Sequence, residues 1–262
     1  MRPPVGDAIQ EVARFQTRAR RLLRILARNS DHEIIMCTLT WNRPASGELE
    51  IFFNRDELKT RPIAEVPSRH EVDGISFLSP RDPRGGGTWM LANEYGLVVC
   101  LLNKWELQGR SIADPRSRGQ LVWSLANLIS VDEVESRLDF LENYHAFTLV
   151  VFSKTGDRCW QWDESSLHAG EVPEFLTSSS FRFEEVSRER AACFTSHVGG
   201  AEFHASTGAE SSAYTVRMNR PDAQTWSRSR LSLGEEVSWE YLAERPNLEG
   251  EPVRSHLTMA LR

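Results

Sequence analysis

The stretch Met36-Cys37-Thr38-Leu39-Thr40-Trp41-Asn42, followed by Asn-Arg-Asp-Glu at residues 54–57, decides the fold. Residues 37–42 and 48–53 form two short strand-like runs. Pro44 and Gly47 lie between them, and both residue types favour reversing loops. The pattern predicts a β-hairpin whose second strand ends at the Asn-Arg-Asp-Glu motif. We therefore expect its four polar side chains at a strand end or in the following loop, near the strand of Cys37, where functional side chains often gather.

Cys37 would gain a second functional group if the residues before it were absent from the mature protein. A free α-amine titrates near ~7.7–8.0 and a cysteine thiol near ~8.5, so the amine could act as a general base for its own thiol at neutral pH. One residue would then supply nucleophile and base. The alternative is a structural cysteine, because free thiols are among the most buried and least reactive side chains.

Residues 1–35 are predicted to be an N-terminal extension, in which residues 8–28 have the pattern of a basic amphipathic helix. Three explanations stay open for this segment. It is a peptide removed by self-cleavage, a membrane-surface or targeting helix, or upstream sequence from a start codon assigned too early. The first and third explanations both expose Cys37, since an initiator Met36 is readily lost before a small residue. Residues 36–262 are expected to form a single domain.

Composition narrows the class of function. The chain has 262 residues, a hydrophobic content of 40% and a formal net charge of −6. The first 35 residues carry seven Arg and four acidic side chains, a net +3, which leaves about −9 for the rest and argues against nucleic-acid binding. Neither the four Cys nor the seven His have metal-ligand spacing, so no metal site is expected. The sequence has no apolar run long enough for a membrane span, and a reduced cytoplasmic protein is expected.

The remainder of the chain predicts strands, then two helices, then more strands. Strands are expected at 88–92, 97–103, 146–153, 158–162, 213–218 and 224–233, and helices at 119–130, after Ser130 and at 182–193. Ser130 and Glu133 match a capping box. This order predicts an α+β protein with mostly antiparallel pairing. The glycines at 85–87 are predicted to form a tight bend, because the Lys-Ser or Lys-Thr of a phosphate-binding loop does not follow them.

Five short blocks occur in an order that resembles one known family. They are Met36-Cys37, Asn54-Arg55-Asp56-Glu57 with Arg61-Pro62, Gly86-Gly87-Thr88-Trp89, Leu102-Asn103 and Arg118-Gly119. Together they resemble the NRDE family, also called the transport and Golgi organization protein 2 family, from Met36 to about residue 180. That family is similar to N-terminal-nucleophile cysteine hydrolases such as penicillin V acylase and bile salt hydrolase. The resemblance implies an αββα sandwich of two mostly antiparallel sheets between helical layers.

The resemblance also implies a site. Carried over by position, Cys37 would be the nucleophile, with Arg55 beside the thiolate, Asp56 beside the α-amine and Asn103 as an oxyanion donor. The expected substrate-binding residues are Asn54, Glu57, Thr88, Trp89, Ser178 and Ser179. The alternatives are structural roles: a solvated charge cluster at residues 54–57 and an amide that ends a strand at Asn103.

The chain departs from the amidase relatives at one implied position. Those relatives carry an Asn near the place of Ser178 or Ser179 and a further Arg late in the chain. The candidates for the late Arg are Arg188, Arg190 and Arg217. The sequence leaves this choice open.

Two functions from different classes follow. The first is hydrolysis of the C–N amide bond of a small molecule by Cys37, which requires no cofactor. The second is non-catalytic binding or trafficking of haem or an acyl lipid, because members of the resembled family have been implicated in haem movement and lipid metabolism. The sequence has no haem attachment motif, although a thiolate or imidazole ligand stays open. A small molecule is the expected partner, and the sequence predicts no oligomeric state.

Overall fold

The computed structural model describes residues 36–45, 47–197, 200–208, 212–244 and 251–262. The predictions for residues 1–35, including the helix at 8–28, lie outside these described residues.

Thirteen strands within the described ranges form two antiparallel sheets. Their bounds are β1 (Met36–Asn42), β2 (Leu49–Leu58), β3 (Glu65–Val72), β4 (Ile75–Arg81), β5 (Met90–Asn93), β6 (Val98–Asn103), β7 (Phe147–Phe152), β8 (Asp157–Trp162), β9 (Leu167–Gly170), β10 (Phe175–Ser178), β11 (Ala223–Leu233), β12 (Glu236–Ala243) and β13 (Val253–Ala260). The six-stranded sheet has the order β10-β1-β2-β11-β12-β13, and the seven-stranded sheet runs from β3 to β9 in chain order. Strands β1 and β2, which carry Cys37 and the Asn-Arg-Asp-Glu motif, are therefore neighbours within the six-stranded sheet.

Helices cover the outer face of each sheet. They are α1 (Arg118–Ser124), α2 (Val131–Ser136), α3 (Phe183–Ser196) and α4 (Gly200–Ala205), and a 3₁₀ turn spans Trp105–Leu107. Helix α1 contacts β5 and β6, while α3 contacts β10 and α4 contacts β1 and β2. The arrangement is an αββα sandwich, which confirms the predicted fold class.

Strand alternation explains how one apolar run serves two layers. Along β6, Cys100 and Leu102 belong to the cluster between the sheets. Val99 and Leu101 belong to the cluster between the seven-stranded sheet and the helices. Because both faces are buried, the run is apolar at every position instead of at every second one.

The structure corrects the predicted extent of the second strand. Strand β2 does not stop at residue 53 but runs through the Asn-Arg-Asp-Glu motif to Leu58, and it pairs with β1 on one side and β11 on the other. All four side chains are buried. Strand β2 can hold them because each finds a polar partner, as buried polar groups require.

The prediction of a strand at 213–218 is also wrong. Those residues form turns in which the Thr215 hydroxyl donates to Ser212 O at 2.9 Å and the amide of Arg217 donates to Ser206 O at 3.0 Å. Local side-chain bonds of this kind compete with a strand ladder. In contrast, the predicted capping box is confirmed in its first half: the amide of Glu133 donates to Ser130 Oγ at 3.2 Å. The Glu133 carboxylate accepts from the amide of Ile129 at 2.8 Å, one residue before the amide that a full capping box uses.

The glycine run forms the predicted bend and also a close contact. Gly86 has φ +66°, and the amide of Asp82 donates to Gly87 O at 2.8 Å. At Gly87 the bend meets the start of α1: an added Cβ would lie 2.2 Å from Gly119 C and 2.4 Å from Gln120 N. The absence of a side chain therefore lets two backbones touch.

Replacing Gly87 with alanine should lower the free energy of unfolding by about 2–3 kcal/mol, because the bend and α1 must separate to admit the methyl group. The separation breaks the bond from the amide of Thr88 to Gly119 O, 3.0 Å long. Urea unfolding followed by circular dichroism measures the change. Gly109→Ala is the control, since nothing lies within 4 Å of its added Cβ; equal costs at the two positions would contradict the prediction.

Candidate active site

The Asn-Arg-Asp-Glu motif is divided between the two faces of the six-stranded sheet. In the β1–β2 register Cys37 lies opposite Arg55, and Met36 lies opposite Asp56. Cys37 belongs to the cluster between the sheets, whereas Met36 belongs to an outer cluster with Val186 of α3. Because side chains alternate along a strand, Arg55 shares the inner face with Cys37, and Asp56 shares the outer face with Met36.

The thiol of Cys37 is buried, with 4% of the residue exposed. Burial raises the pKa of the Cys37 thiol to about 12, and the charge of Asp56 adds to this rise. Arg55 acts in the opposite direction but is outweighed. At neutral pH, in a chain in which Met36 precedes it, Cys37 is therefore a neutral thiol.

Arg55 is part of a row of alternating charges, in which Arg55 and Glu57 are buried and Arg61 and Asp82 are partly buried. Its guanidinium lies 3.1 Å from Glu57 and 3.8 Å from Asp82 and stacks 4.5 Å from the centre of the Trp89 ring. Arg61 completes the row, at 3.4 Å from Glu57 and 2.5 Å from Asp82. Burial disfavours ionised Asp82, yet the hydrogen bond and charge of Arg61 outweigh it and lower the pKa of Asp82. The carboxylates of Glu57 and Asp82 thus both lie close to Arg55 and partly neutralise the positive charge that it places near the thiol.

Asp56 forms a fully buried ion pair on the outer face. Arg190 of α3 lies 3.2 Å from its carboxylate, and neither side chain is exposed. The Thr225 hydroxyl donates to the other Asp56 oxygen at 2.6 Å. Burial raises the pKa of Asp56, and Arg190 and Thr225 oppose that rise. Of the three candidates for a late Arg, the structure brings Arg190 to the motif.

Arg190 also holds β1 and β10. Its guanidinium donates to Thr38 Oγ1 at 2.7 Å, to Thr177 Oγ1 at 3.2 Å and to Ala213 O at 3.2 Å. Two of these bonds tie α3 to β1, next to Cys37, and to β10, next to Ser178.

Ser178 contacts Cys37 through the backbone. The amide of Cys37 donates to Ser178 Oγ at 2.9 Å, and the Thr177 hydroxyl donates to Cys37 O at 3.2 Å. Ser179 turns elsewhere, because its hydroxyl donates to Phe181 O at 2.5 Å and accepts from the amide of Phe181 at 3.0 Å. Ser178 is thus the serine that lies at the nitrogen of Cys37.

The other predicted residues have identifiable neighbours. Asn54 donates to His204 O at 3.0 Å and to Val216 O at 3.1 Å, so its amide ties β2 to the outer layer. The Thr88 hydroxyl donates to Met90 O at 2.9 Å. Asn103 ends β6, where it pairs with Phe147 and is 8% exposed. Substrate binding by these residues and an oxyanion contact from Asn103 stay predictions.

Three further residues of the site were not assigned from the sequence. Asp82 bonds Arg61, Thr225 bonds Asp56, and His204 shares its Nδ1 with Asn54 Oδ1 at 2.8 Å. Asp82 lies three residues before the glycines at 85–87, so its closeness to that block was a local sign that it belongs to the site. Thr225 and His204 lie 169 and 150 residues from their partners, and no local pattern connects them.

The described ranges contain no group of three or more His, Cys, Asp or Glu side chains that could hold a metal ion. Among the helices of those ranges, none is both long and apolar enough to cross a membrane.

Comparisons with known proteins concern the fold and the family of the chain. A structure of the N-acylethanolamine-hydrolyzing acid amidase ortholog of Caenorhabditis elegans is similar to the chain, with 10% identity, a TM-score of 0.50, and coverage of 75% of this chain and 92% of that one. A conjugated bile acid hydrolase variant from Clostridium perfringens matches with 13% identity, a TM-score of 0.48, and coverage of 86% and 97%. At these identities the likeness concerns the fold alone, and the amidase structure supports the αββα sandwich.

The curated proteins contain no match. The family model described as Transport and Golgi organisation 2 matches residues 36–191, which is more than half of the chain and includes Cys37, the Asn-Arg-Asp-Glu motif and Arg190. The chain belongs to the Transport and Golgi organisation 2 family.

Proposed function

We propose that the protein is a cysteine hydrolase that cleaves the C–N amide bond of a small molecule, and that this activity requires Cys37 to be the first residue. The supporting observation is the 2.9 Å hydrogen bond between the Cys37 nitrogen and Ser178 Oγ, formed while Arg55 lies opposite Cys37 in the strand register. An α-amine at the same place would keep the serine as its partner. The thiol and the arginine would stay on the inner face.

Removal of the residues before Cys37 changes two properties at once. The peptide nitrogen, which has no basic lone pair, becomes an amine with a pKa near ~7.7–8.0. The fully buried Met36 side chain leaves the cluster that it forms with Val186, Ala213, Met218 and Ala223. The new amine then has space for water, and its positive form favours the thiolate beside it.

The proposed reaction has two halves. The α-amine takes the proton of the Cys37 thiol, and the thiolate sulfur attacks the carbonyl carbon of the amide. The tetrahedral oxyanion collapses as the ammonium returns the proton to the leaving amine, and a thioester remains. Water, deprotonated by the amine, attacks the thioester, releases the acid and regenerates the thiol. Asn103 is the proposed oxyanion donor, a contact worth roughly 2.7–4 kcal/mol in other hydrolases.

The arrangement on the outer face supports the amine. The Asp56 carboxylate, fixed by Arg190, lies on β2 opposite the residue that removal deletes. Its charge is the largest electrostatic influence on the Cys37 thiol after burial. We infer that it stabilises the ammonium form during proton return. The same fold carries an N-acylethanolamine-hydrolyzing amidase, which fits amide chemistry.

The test compares three chains: residues 1–262, residues 37–262 starting at Cys37, and residues 37–262 with Cys37→Ala. Each is incubated with fluorogenic N-acyl aminocoumarins of increasing acyl length, and the released amine is measured. We expect turnover only from the second chain. Cys193→Ala in that chain is the matched control and should retain activity. Equal turnover in the full chain with Met36 intact, or in the Cys37→Ala chain, would refute the proposal.

Haem binding at this site has no supporting contact. Both ring nitrogens of His204 are engaged, by Thr40 Oγ1 at 2.9 Å and by Asn54 Oδ1 at 2.8 Å. The raised pKa of the Cys37 thiol disfavours a thiolate ligand in the full chain. Neither His204 nor the Cys37 thiol of the full chain is therefore suited to be an axial ligand of haem. Haem or acyl-lipid trafficking stays a prediction.

A further inference from the structure

A cavity of about 620 Å³ lies on the outer face of the six-stranded sheet, beside α4. Two rows of side chains cross the strands there. The first is Phe52, Arg230, Glu240 and His256, and the second is Asn54, Arg228, Leu242 and Arg254. Ala201 of α4 forms part of the wall. The volume is within the range of small-molecule sites, roughly 300–1,000 Å³.

The cavity combines an apolar floor with cations. Phe52 and Leu242 contribute to the lining, and Phe52 stacks on the His204 ring with centroids 5.8 Å apart. Three arginines and one carboxylate, Glu240, are among the lining residues in the described part of the chain. Burial, with help from Arg228 and Arg190, lowers the pKa of His204 to about 3, so this histidine is neutral at physiological pH.

Two of the arginines are placed to share one ligand group. Arg228 and Arg254 flank Leu242, because Leu242 pairs with Arg228 on β11 and with Arg254 on β13. Neighbours across strands have Cβ atoms about 4.5–5.5 Å apart, so the two guanidinium groups can meet above Leu242. Arg228 gives its Nε to Glu244. Arg254 forms no ion pair with any described residue.

The third arginine is already neutralised. Arg230 bonds Glu50 at 2.6 Å and Glu240 at 3.2 Å. Among the residues that the structure describes, the positive charge of the cavity that has no carboxylate partner is therefore at Arg254, with Arg228 beside it. A guanidinium with free N–H groups is well suited to carboxylate and phosphate oxygens.

We propose that this cavity binds an organic anion with a flat apolar body, whose carboxylate or phosphate group lies between Arg228 and Arg254 and whose body lies on Leu242 and Phe52. The site is separate from that of Cys37. Phe52 lines the cavity, while Phe53 and Arg55, which point to the other side of β2, lie on the inner face with Cys37. The proposal therefore does not depend on the hydrolase activity.

The test uses the full chain and measures binding of 2-naphthoate and of 1-naphthyl phosphate by isothermal titration calorimetry. Neutral 2-naphthalenemethanol is the ligand control. We expect the anions to bind and the alcohol to bind at least tenfold more weakly, since hydrogen bonds to a charged group are stronger than hydrogen bonds to a neutral one. Preference for one of the two anions would identify the head group, and either result supports the site.

Variants localise the binding. Arg254→Gln and Arg228→Gln should each weaken it about tenfold, and Glu240→Gln should strengthen it about threefold by removing the lining carboxylate. A gain from Glu240→Gln cannot come from misfolding. Two variants should leave the affinity for the anions unchanged: Arg69→Gln, at an exposed position on β3, and Cys37→Ala. The proposal is overturned if neither anion binds saturably, if the alcohol binds equally well, or if the Arg254 and Arg228 variants bind like the parent chain.

Discussion

Replacing Arg190 with methionine should lower the free energy of unfolding by about 3–5 kcal/mol, because it leaves the buried carboxylate of Asp56 without its counter-ion. Neither partner of this ion pair is exposed. The variant also removes the donors that reach Thr38, Thr177 and Ala213 O. Methionine roughly fills the volume of the arginine stem, so the loss reports the charge and its hydrogen bonds instead of a cavity. Urea unfolding at pH 7 measures it.

The cost should depend on pH in a defined direction. Burial already raises the pKa of Asp56, and loss of Arg190 removes the main opposing charge. A raised pKa in the folded state means that stability falls as pH rises from the unfolded pKa, near ~3.9, through the folded one. The Arg190→Met variant should therefore be less destabilised at pH 5 than at pH 8. The double variant with Asp56→Asn should lose this pH dependence.

Arg188→Met is the matched control, since it lies on the same helix and its side chain is 70% exposed. We expect a change within about 0.5 kcal/mol there. If Arg190→Met and Arg188→Met cost the same, the buried pair does not hold the outer layer to β2.

The role of Arg190 shows where the sequence was insufficient. Local alternation and turn residues predicted the hairpin and the mostly antiparallel pairing correctly. The αββα sandwich was implied by the family resemblance. It could not choose Arg190 over Arg188 and Arg217, since Asp56 lies 134 residues away and only the docking of α3 brings the two together. Long-range polar pairs have no local pattern.

The extent of β2 was a different kind of error. Four consecutive polar residues at 54–57 suggest that the strand stops before them, because strands that are buried on both faces are usually apolar. Within β2 the same residues alternate, which separates Arg55 from Asp56 by the thickness of the sheet. Arg55 therefore lies on the face of the Cys37 thiol, and Asp56 lies on the opposite face with Met36.

The last two strands, β12 and β13, differ in how strongly their sequences predict a strand. In β12 the buried residues alternate with more exposed ones; they are Val237, Trp239, Tyr241 and Ala243. The period-two pattern of a half-buried strand is therefore visible in the sequence. Strand β13 forms the edge of the sheet and is mostly exposed. Its residues show weak apolar alternation, and pairing with β12 is what makes it a strand.

Iodoacetamide should alkylate Cys37 at pH 7 about a thousandfold faster in a chain that begins at Cys37 than in the full chain. With a pKa of about 12, roughly one thiol in 10⁵ is ionised at pH 7 in the full chain. A thiol near the ordinary value of ~8.5 is ionised in about one molecule in thirty. Burial is the main cause of the raised pKa, and a charged terminal amine that must be hydrated removes much of that burial. Peptide mass spectrometry over time gives the rate at each cysteine.

The other cysteines serve as internal standards in the same experiment. Cys193 is partly exposed and should react at similar rates in both chains. Cys100 is buried on β6, where burial raises the pKa of its thiol, and should stay protected in both. If Cys37 reacts as slowly as Cys100 even when it is the first residue, it is a core cysteine and the proposed nucleophile is excluded. If all three accelerate together, the shorter chain has loosened. Only selective acceleration at Cys37 distinguishes an activated nucleophile from either case, and it does so without knowledge of the substrate.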